Sequence, residues 1–172
     1  IEPIFEKSGH EKYVTDWRGQ YRGDALAILR PCNKSEISEI LKFANYFKLP
    51  VVPQGGNTGL CGGATPIKNS NSIVISTEKL NKIISIDTNA KTLKLESGVI
   101  LSDIHNFVDK HNLFFPLNLG AKGSCMIGGN LSTNAGGINV LKYGNTRDLC
   151  LGLEVILPNG EVLDLLSDLK KD

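Results

Sequence analysis

The stretch that most narrows what this chain can become is Pro53-Gln54-Gly55-Gly56-Asn57-Thr58-Gly59-Leu60-Cys61-Gly62-Gly63, with five glycines in the nine residues from 55 to 63. Each glycine removes a Cβ that would stop the backbone curling tightly around something. Successive exposed backbone N–H groups then form a concave nest, and nests bind anions. Asn57 and Thr58 can add side-chain donors, and the apolar Val51-Val52 before the loop reads as a strand that anchors it at a sheet end. The anion that fits best is a pyrophosphate, met by oriented amides without a basic cluster. Neither G-x-G-x-x-G opening a helix nor G-x-x-x-x-G-K-[ST] is present, which counts against nicotinamide and nucleoside-triphosphate sites. The competing reading is a glycine-rich surface turn.

A second glycine-rich stretch weakens that alternative. Residues 116–137 combine Gly120, Gly123, Gly128, Gly129, Gly136 and Gly137 with Ser, Thr and Asn, and Lys122 is their only charge. Backbone can approach a flat ligand closely there, while small polar groups supply hydrogen bonds. A flavin ring needs such a slot. The same composition also suits a small-residue helix over Ile127 to Asn134 packed in the core, and the two readings are compatible.

Composition excludes several classes. Of 172 residues, 41% are hydrophobic and 22% charged, as in an ordinary globular domain, and the net charge of +1 gives no footprint for nucleic acid or for an anionic membrane surface. No apolar run reaches 18 residues, so no transmembrane segment is expected. The N-terminus lacks the basic-then-apolar pattern of a signal peptide, and the missing initial Met points to processing or a cut boundary. Cys32, Cys61, Cys125 and Cys150 are scattered, as in a protein of a reducing compartment: the cytoplasm or, in a eukaryote, the mitochondrial matrix. His10, His105 and His111 show no ligand spacing, so no metal site is assigned to this chain.

Periodicity predicts strands at 27–30, 50–53, 72–76, 83–87 and 92–96. It predicts helices over about 35–47, capped by Asn33 and Glu36, and over 101–111. The first helix should bury Ile37, Ile40, Leu41, Ala44 and Phe47; the second should bury Leu101, Ile104, Phe107 and Val108. Pro158-Asn159-Gly160 marks a hairpin between 151–157 and 162–165. The pattern is α+β, with strands pairing locally and helices intervening only twice.

These segments together resemble the FAD-linked oxidases of the vanillyl-alcohol-oxidase type, in the branch of D-2-hydroxyglutarate and D-lactate dehydrogenases. The resemblance rests on 52–60, 116–124, Ile127-Gly128-Gly129-Asn130, Thr133-Asn134-Ala135-Gly136-Gly137, Tyr143-Gly144 and 151–155, and covers the chain from about Trp17. It implies a PCMH-type FAD-binding domain of two small α/β subdomains over 25–172, incomplete at the C-terminus, after an N-terminal extension at 1–24. It assigns Pro53, Gly55, Gly56, Asn57, Thr58, Gly59 and Leu60 to the FAD pyrophosphate. It assigns Pro116, Gly120, Ser124, Gly128, Gly129, Asn130, Thr133, Asn134, Gly136 and Gly137 to the flavin and the centre of the cofactor. Gly152 and Val155 fall along the adenosine end. Relatives that bind flavin covalently carry a histidine in the first loop; here Asn57-Thr58 stands instead, so FAD is expected to be non-covalent.

The implied activity is that of a D-2-hydroxy-acid dehydrogenase, with hydride passing from substrate C2 to flavin N5 and electrons leaving to an electron-transfer protein or quinone. The groups that hold the small-molecule 2-hydroxy acid, including a metal site, are expected in a separate substrate domain, so no catalytic residue is assigned here. A same-fold oxidase or reductase and a non-catalytic binding domain stay open as alternatives.

Overall fold

The computed structural model describes residues 3–5 and 7–166; the extreme N-terminus and the end of the expected domain, 167–172, lie outside the described residues. The chain folds into two compact units, one of Ile1–Leu80 with Ile156–Leu163, the other of Asn81–Val155 with the chain from Asp164.

The first unit is built on three parallel strands: β1 (Ala27–Leu29), β2 (Val51–Gln54) and β3 (Ile73–Ser76), in the order β1-β3-β2. Val74 lies opposite both Ile28 and Val52, so β3 is the central strand and all four of its residues are buried. This corrects the expectation that strands pair locally. Only β-branched side chains and a terminal serine occupy β3, and such a run suits a strand covered on both faces. Its long connections to β2 and β1 allow no hairpin. Alternation then sorts the layers. Ile28 and Val74 pack with Tyr13 and Val14 of the short helix α1 (Glu11–Val14). Ile73 and Ile75 pack with Ile40 and Ala44 of α2 (Lys34–Phe47).

Helix α2 starts where the sequence places it. The Asn33 side chain accepts from the Glu36 N–H at 3.0 Å, and the Glu36 carboxylate accepts from the Cys32 N–H at 2.8 Å. It stops at Lys48, which takes the left-handed conformation at φ 55°. Phe47, expected inside, is 56% exposed and stacks on Phe43 with centroids 4.6 Å apart. A 14-residue helix is about 21 Å long, whereas strands of three or four residues span roughly 10–13 Å, so the last turn outruns the sheet.

The second unit pairs β4 (Ile83–Asp87) with β5 (Thr92–Leu95) in an antiparallel hairpin, as expected. The Asp87 carboxylate accepts from the N–H groups of Asn89 and Ala90 and so sets the turn. Helix α3 (Leu101–Asp109) buries Leu101, Ile104 and Val108 in a core with Val99, Leu117, Cys125 and Ile127; Phe107 packs at the margin of that core, partly buried. Helix α4 (Ile127–Ser132) falls within the small-residue helix that composition suits at Ile127 to Asn134, whereas α5 (Val140–Tyr143) is too short for periodicity to reveal. Among the described residues no helix is long and apolar enough to cross a membrane.

The last two strands, β6 (Leu153–Ile156) and β7 (Val162–Leu165), form the hairpin expected around Asn159-Gly160. Only Gly160 takes a positive φ, 83°, and its tip is seated on α2, where the Ser38 hydroxyl donates to the Gly160 carbonyl. A Cβ at 160 would lie 2.5 Å from Lys42 Cγ and 2.7 Å from the Ser38 carbonyl oxygen. Gly160→Ala therefore combines a left-handed backbone with overpacking, and should lower stability by about 2–4 kcal/mol. Urea denaturation of the variant beside the parent measures this.

Candidate functional site

Strand β2 delivers the chain to the first glycine loop and ends on Gln54, which is buried. Its side-chain amide donates to the carbonyls of Tyr13 (2.8 Å) and Ala64 (2.7 Å), so the residue before the loop holds the residue after it. Three residues on, Asn57 has φ 51°, a change of hand of the kind that gathers successive N–H groups into a nest. Its side chain, expected to serve a ligand, turns inward instead. The Asn57 amide donates to the carbonyls of Lys12 (3.2 Å) and Thr15 (2.7 Å).

The backbone donors are the notable feature. Among the described residues, no protein group accepts a hydrogen bond from the N–H of any residue from 55 to 63. Nine consecutive donors without protein acceptors, on a loop tied at both ends, form a surface complementary to an anion. Beneath the loop Thr65 is buried with no partner for its hydroxyl. A Cβ built on Gly59 or Gly63 meets nothing within 4 Å, so neither glycine is required by packing inside the protein. Gly62 is different: its φ is 69°, and a Cβ would press on the ring of Tyr21 at 2.8 Å.

The second stretch lies wholly in the second unit. Residues 119–125 form consecutive turns that close on the start of α3, whose Leu101 and Ser102 N–H groups donate to the carbonyls of Cys125 (3.1 Å) and Lys122 (2.9 Å). Gly128 lies against Ser97, where an added Cβ would meet Ser97 Cβ at 2.7 Å. Gly137 has φ 122° and fits over the Asn118 carbonyl. Gly120, Gly123 and Gly129, by contrast, face open space. Asn130 is 5% exposed and its Oδ1 has no hydrogen-bond partner, which leaves a buried acceptor. Cys125 is buried too, and that burial pushes its thiol up, against a smaller opposing effect of Asn130.

Other expected residues have structural duties. Thr133 donates from its hydroxyl to the Gly129 carbonyl, Asn134 accepts from the Arg147 N–H, and the Pro116 carbonyl accepts from Asn139. Gly136 sits beside Asn145. Ser124 is exposed, Gly152 precedes β6 and accepts from Cys150, and Val155 is half-buried on β6. Among the described residues no three His, Cys, Asp or Glu gather as metal ligands.

Sequence reasoning gave no role to Gln54 at the start of the loop, to Tyr21, whose ring lies against Gly62, or to Asp16, which closes the turn that carries Tyr21. Asp16 is buried at the foot of a tight turn and accepts from the N–H groups of Tyr21 (2.6 Å) and Arg18 (3.1 Å). Nothing in the spacing of these residues announces a link to residues 54–62. Nearby, Glu78 accepts from the Tyr13 hydroxyl at 2.9 Å and pairs with Lys12 and Arg30 at 3.4 Å each. Burial works to raise its carboxyl, but the Tyr13 hydrogen bond and the Lys12 charge outweigh it and hold Glu78 low.

Comparison with known proteins fits these observations. The family model described as an FAD binding domain matches residues 25–166. This chain belongs to the FAD-binding-domain family. It is 44% identical over 169 residues to the mitochondrial D-2-hydroxyglutarate dehydrogenase of Arabidopsis thaliana, covering 98% of this chain and 30% of that protein. It is also 44% identical over 157 residues to the D-2-hydroxyglutarate–pyruvate transhydrogenase of Saccharomyces cerevisiae, covering 91% and 31%. The chain thus spans about a third of the length of these curated relatives. Among solved structures, alkyldihydroxyacetonephosphate synthase superposes with a TM-score of 0.85 at 20% identity, over 95% of this chain and 31% of that one. The 6-hydroxy-D-nicotine oxidase of Arthrobacter nicotinovorans gives 0.80 at 24%, over 94% and 35%. These show the fold, the α+β PCMH-type arrangement expected from the motifs.

Each glycine stretch, within its own unit, has features that an FAD-binding domain can use: amides without protein acceptors among the described residues in the first, open glycines and a buried acceptor in the second. Two outcomes follow for the protein alone. Gly128→Ala should cost about 1–3 kcal/mol through overpacking against Ser97, whereas Gly129→Ala should be neutral or add about 0.5–1 kcal/mol. Thermal and chemical denaturation of the apoprotein separates the two. Asp16 supplies a pH signature. The Tyr21 N–H, with help from those of Arg18 and Gln20 and against burial, holds its carboxyl below the aspartate range. A folded-state value below the unfolded one stabilises fully above the ordinary aspartate value of about 3.9, and that stability is lost as pH falls through the folded value. Asp16→Asn should therefore flatten the acid side of a stability–pH curve.

Proposed function

We propose that this chain is the cofactor-holding part of a flavin-dependent D-2-hydroxy-acid dehydrogenase of the D-2-hydroxyglutarate or D-lactate type. The observation that carries the reading is the run of nine backbone N–H groups from 55 to 63 with no acceptor among the described residues. The names of the 44%-identical relatives support the substrate class. On this reading residues 55–60 hold the pyrophosphate through main-chain N–H groups, with Pro53, which has no N–H, contacting it at the loop's entry, Asn57 setting the hand of the loop and Thr58 adding its hydroxyl. The stretch 116–137 holds the flavin and central portion, with Gly120 and Gly129 allowing close approach and Asn130 Oδ1 offering an acceptor. Gly152 and Val155 line the adenosine end, and the cofactor domain runs over 25–172 with 1–24 before it.

FAD, when bound, supplies the redox chemistry by accepting a hydride from the substrate carbon. The chain's own residues bind, orient and keep the phosphates from water; the acid–base groups and the metal site for the hydroxy acid belong to the substrate domain. The absence of histidine from 55–63 supports non-covalent attachment. The word "mitochondrial" in the name of the Arabidopsis relative supports a matrix location, and the branch supports an electron-transfer protein or quinone as acceptor.

The loop carries its own reporter, because Cys61 is exposed within it and Cys32 is exposed away from it. In the full-length apoprotein, saturating FAD should slow alkylation of Cys61 about tenfold or more, as expected of a segment covered by a tightly held ligand, and leave Cys32 unchanged. Equal rates with and without FAD at Cys61 would sink the assignment of this loop. Mild acid should release the flavin intact into the supernatant.

A further inference from the structure

The glycine loop does not shape itself. Four contacts fasten the segment 54–66 to one preceding stretch of chain, and they run from end to end. Gln54, at the start, donates to the Tyr13 carbonyl. Asn57 donates to the carbonyls of Lys12 and Thr15. Gly62 lies flat against the Tyr21 ring, with room for no Cβ. Gly23 is seated on the Pro66 carbonyl, where again a Cβ would collide.

The stretch that makes these contacts is itself a hydrogen-bonded hairpin. Thr15 and Arg22 pair as an antiparallel bridge, and the Gly23 N–H donates to the Val14 carbonyl at 2.9 Å. The Asp16 N–H donates to the Tyr21 carbonyl at 2.9 Å, while the Asp16 carboxylate takes the N–H groups of Tyr21 and Arg18. Glu78 secures the base through Tyr13 and Lys12. The hairpin itself, residues 12–23, precedes residue 25, where the family match begins.

We infer that the hairpin of residues 12–23 is the mould of the glycine loop: it holds the nine N–H groups in their anion-binding arrangement before any ligand arrives. Asp16, Tyr21 and Gln54 are then positioning residues for cofactor binding, though none need touch the cofactor. The inference rests on the reading of 55–63 as the pyrophosphate segment. A glycine-rich loop without such ties samples many backbone states, and ordering it would be charged against ligand affinity. Holding a loop in its bound shape removes that cost.

The test uses the full-length apoprotein with FAD as the probe. Asp16→Ala removes the hairpin's internal acceptor, Tyr21→Ala removes the ring under Gly62, and Asn57→Gly keeps the left-handed φ while cutting both ties. Each should raise the FAD dissociation constant at least about tenfold, or 1.4 kcal/mol. In the same apoproteins limited proteolysis within 55–63 should quicken, while hydrogen exchange at β3 stays unchanged. A purely structural role predicts a lower melting temperature with exchange raised throughout the unit. Should Asp16→Ala fail to fold, Tyr21→Ala and Asn57→Gly decide by the same readouts. Affinities within about twofold of the parent in both would overturn the inference, since an effect below roughly 0.4 kcal/mol leaves no role for the mould. Gly59→Glu, which has open space for its side chain, tests the premise separately. If it binds FAD normally, the pyrophosphate reading itself fails; if it loses FAD while the hairpin variants keep it, only the mould fails.

Discussion

Burying β3 on both faces requires a layer above the sheet and a layer below it, and the chain supplies them from different places. Helix α2, between β1 and β2, covers Ile73 and Ile75. Val74 and Ile28 are covered instead by Tyr13 and Val14, from before the first strand. Folding the N-terminal segment over the sheet is thus a demand of the core. It brings the carbonyls of residues 12, 13 and 15 to the C-terminal end of β2, where Gln54 and Asn57 can use them. The glycine loop is thus tied to a segment that the core already requires.

Glycine serves three separate purposes along this chain, and composition alone merges them. At Gly160 and Gly137 it permits a backbone conformation that other residues resist. At Gly23 and Gly128 it lets two parts of the chain approach closely, against Pro66 and Ser97. At Gly59, Gly120, Gly123 and Gly129 neither reason applies, because the φ is ordinary and the space is open. This last group is what a bound cofactor would explain, and it divides between the two stretches that the sequence marks as ligand-binding.

Local signals were legible and non-local ones were not. The Asn33–Glu36 cap, the stripe of Ile40 and Ala44, the β4–β5 hairpin and the Asn159-Gly160 turn depend on residues close in sequence, and each appears where spacing puts it. Pairing of β1 with β3 and of β3 with β2 joins residues more than twenty apart, and no alternation within a strand encodes a distant partner. Phe47 obeys the helical period yet stays outside, since periodicity reports direction and not the extent of the surface beneath. In the candidate site the glycines announce themselves by type. Gln54, Asp16 and Tyr21 are ordinary residues whose importance arises from what lies across the fold.

A boundary drawn by recurrence of sequence and a boundary drawn by hydrogen bonds do not coincide here. The family match opens at residue 25, yet Gly23 is sealed against Pro66 and Gln54 is bonded to Tyr13 across that line. The matched segment is therefore not a freely transferable module. A lineage that moved it to another protein would have to bring the hairpin along or evolve a replacement, and exchanges at positions 21 and 62 would be accepted only in step.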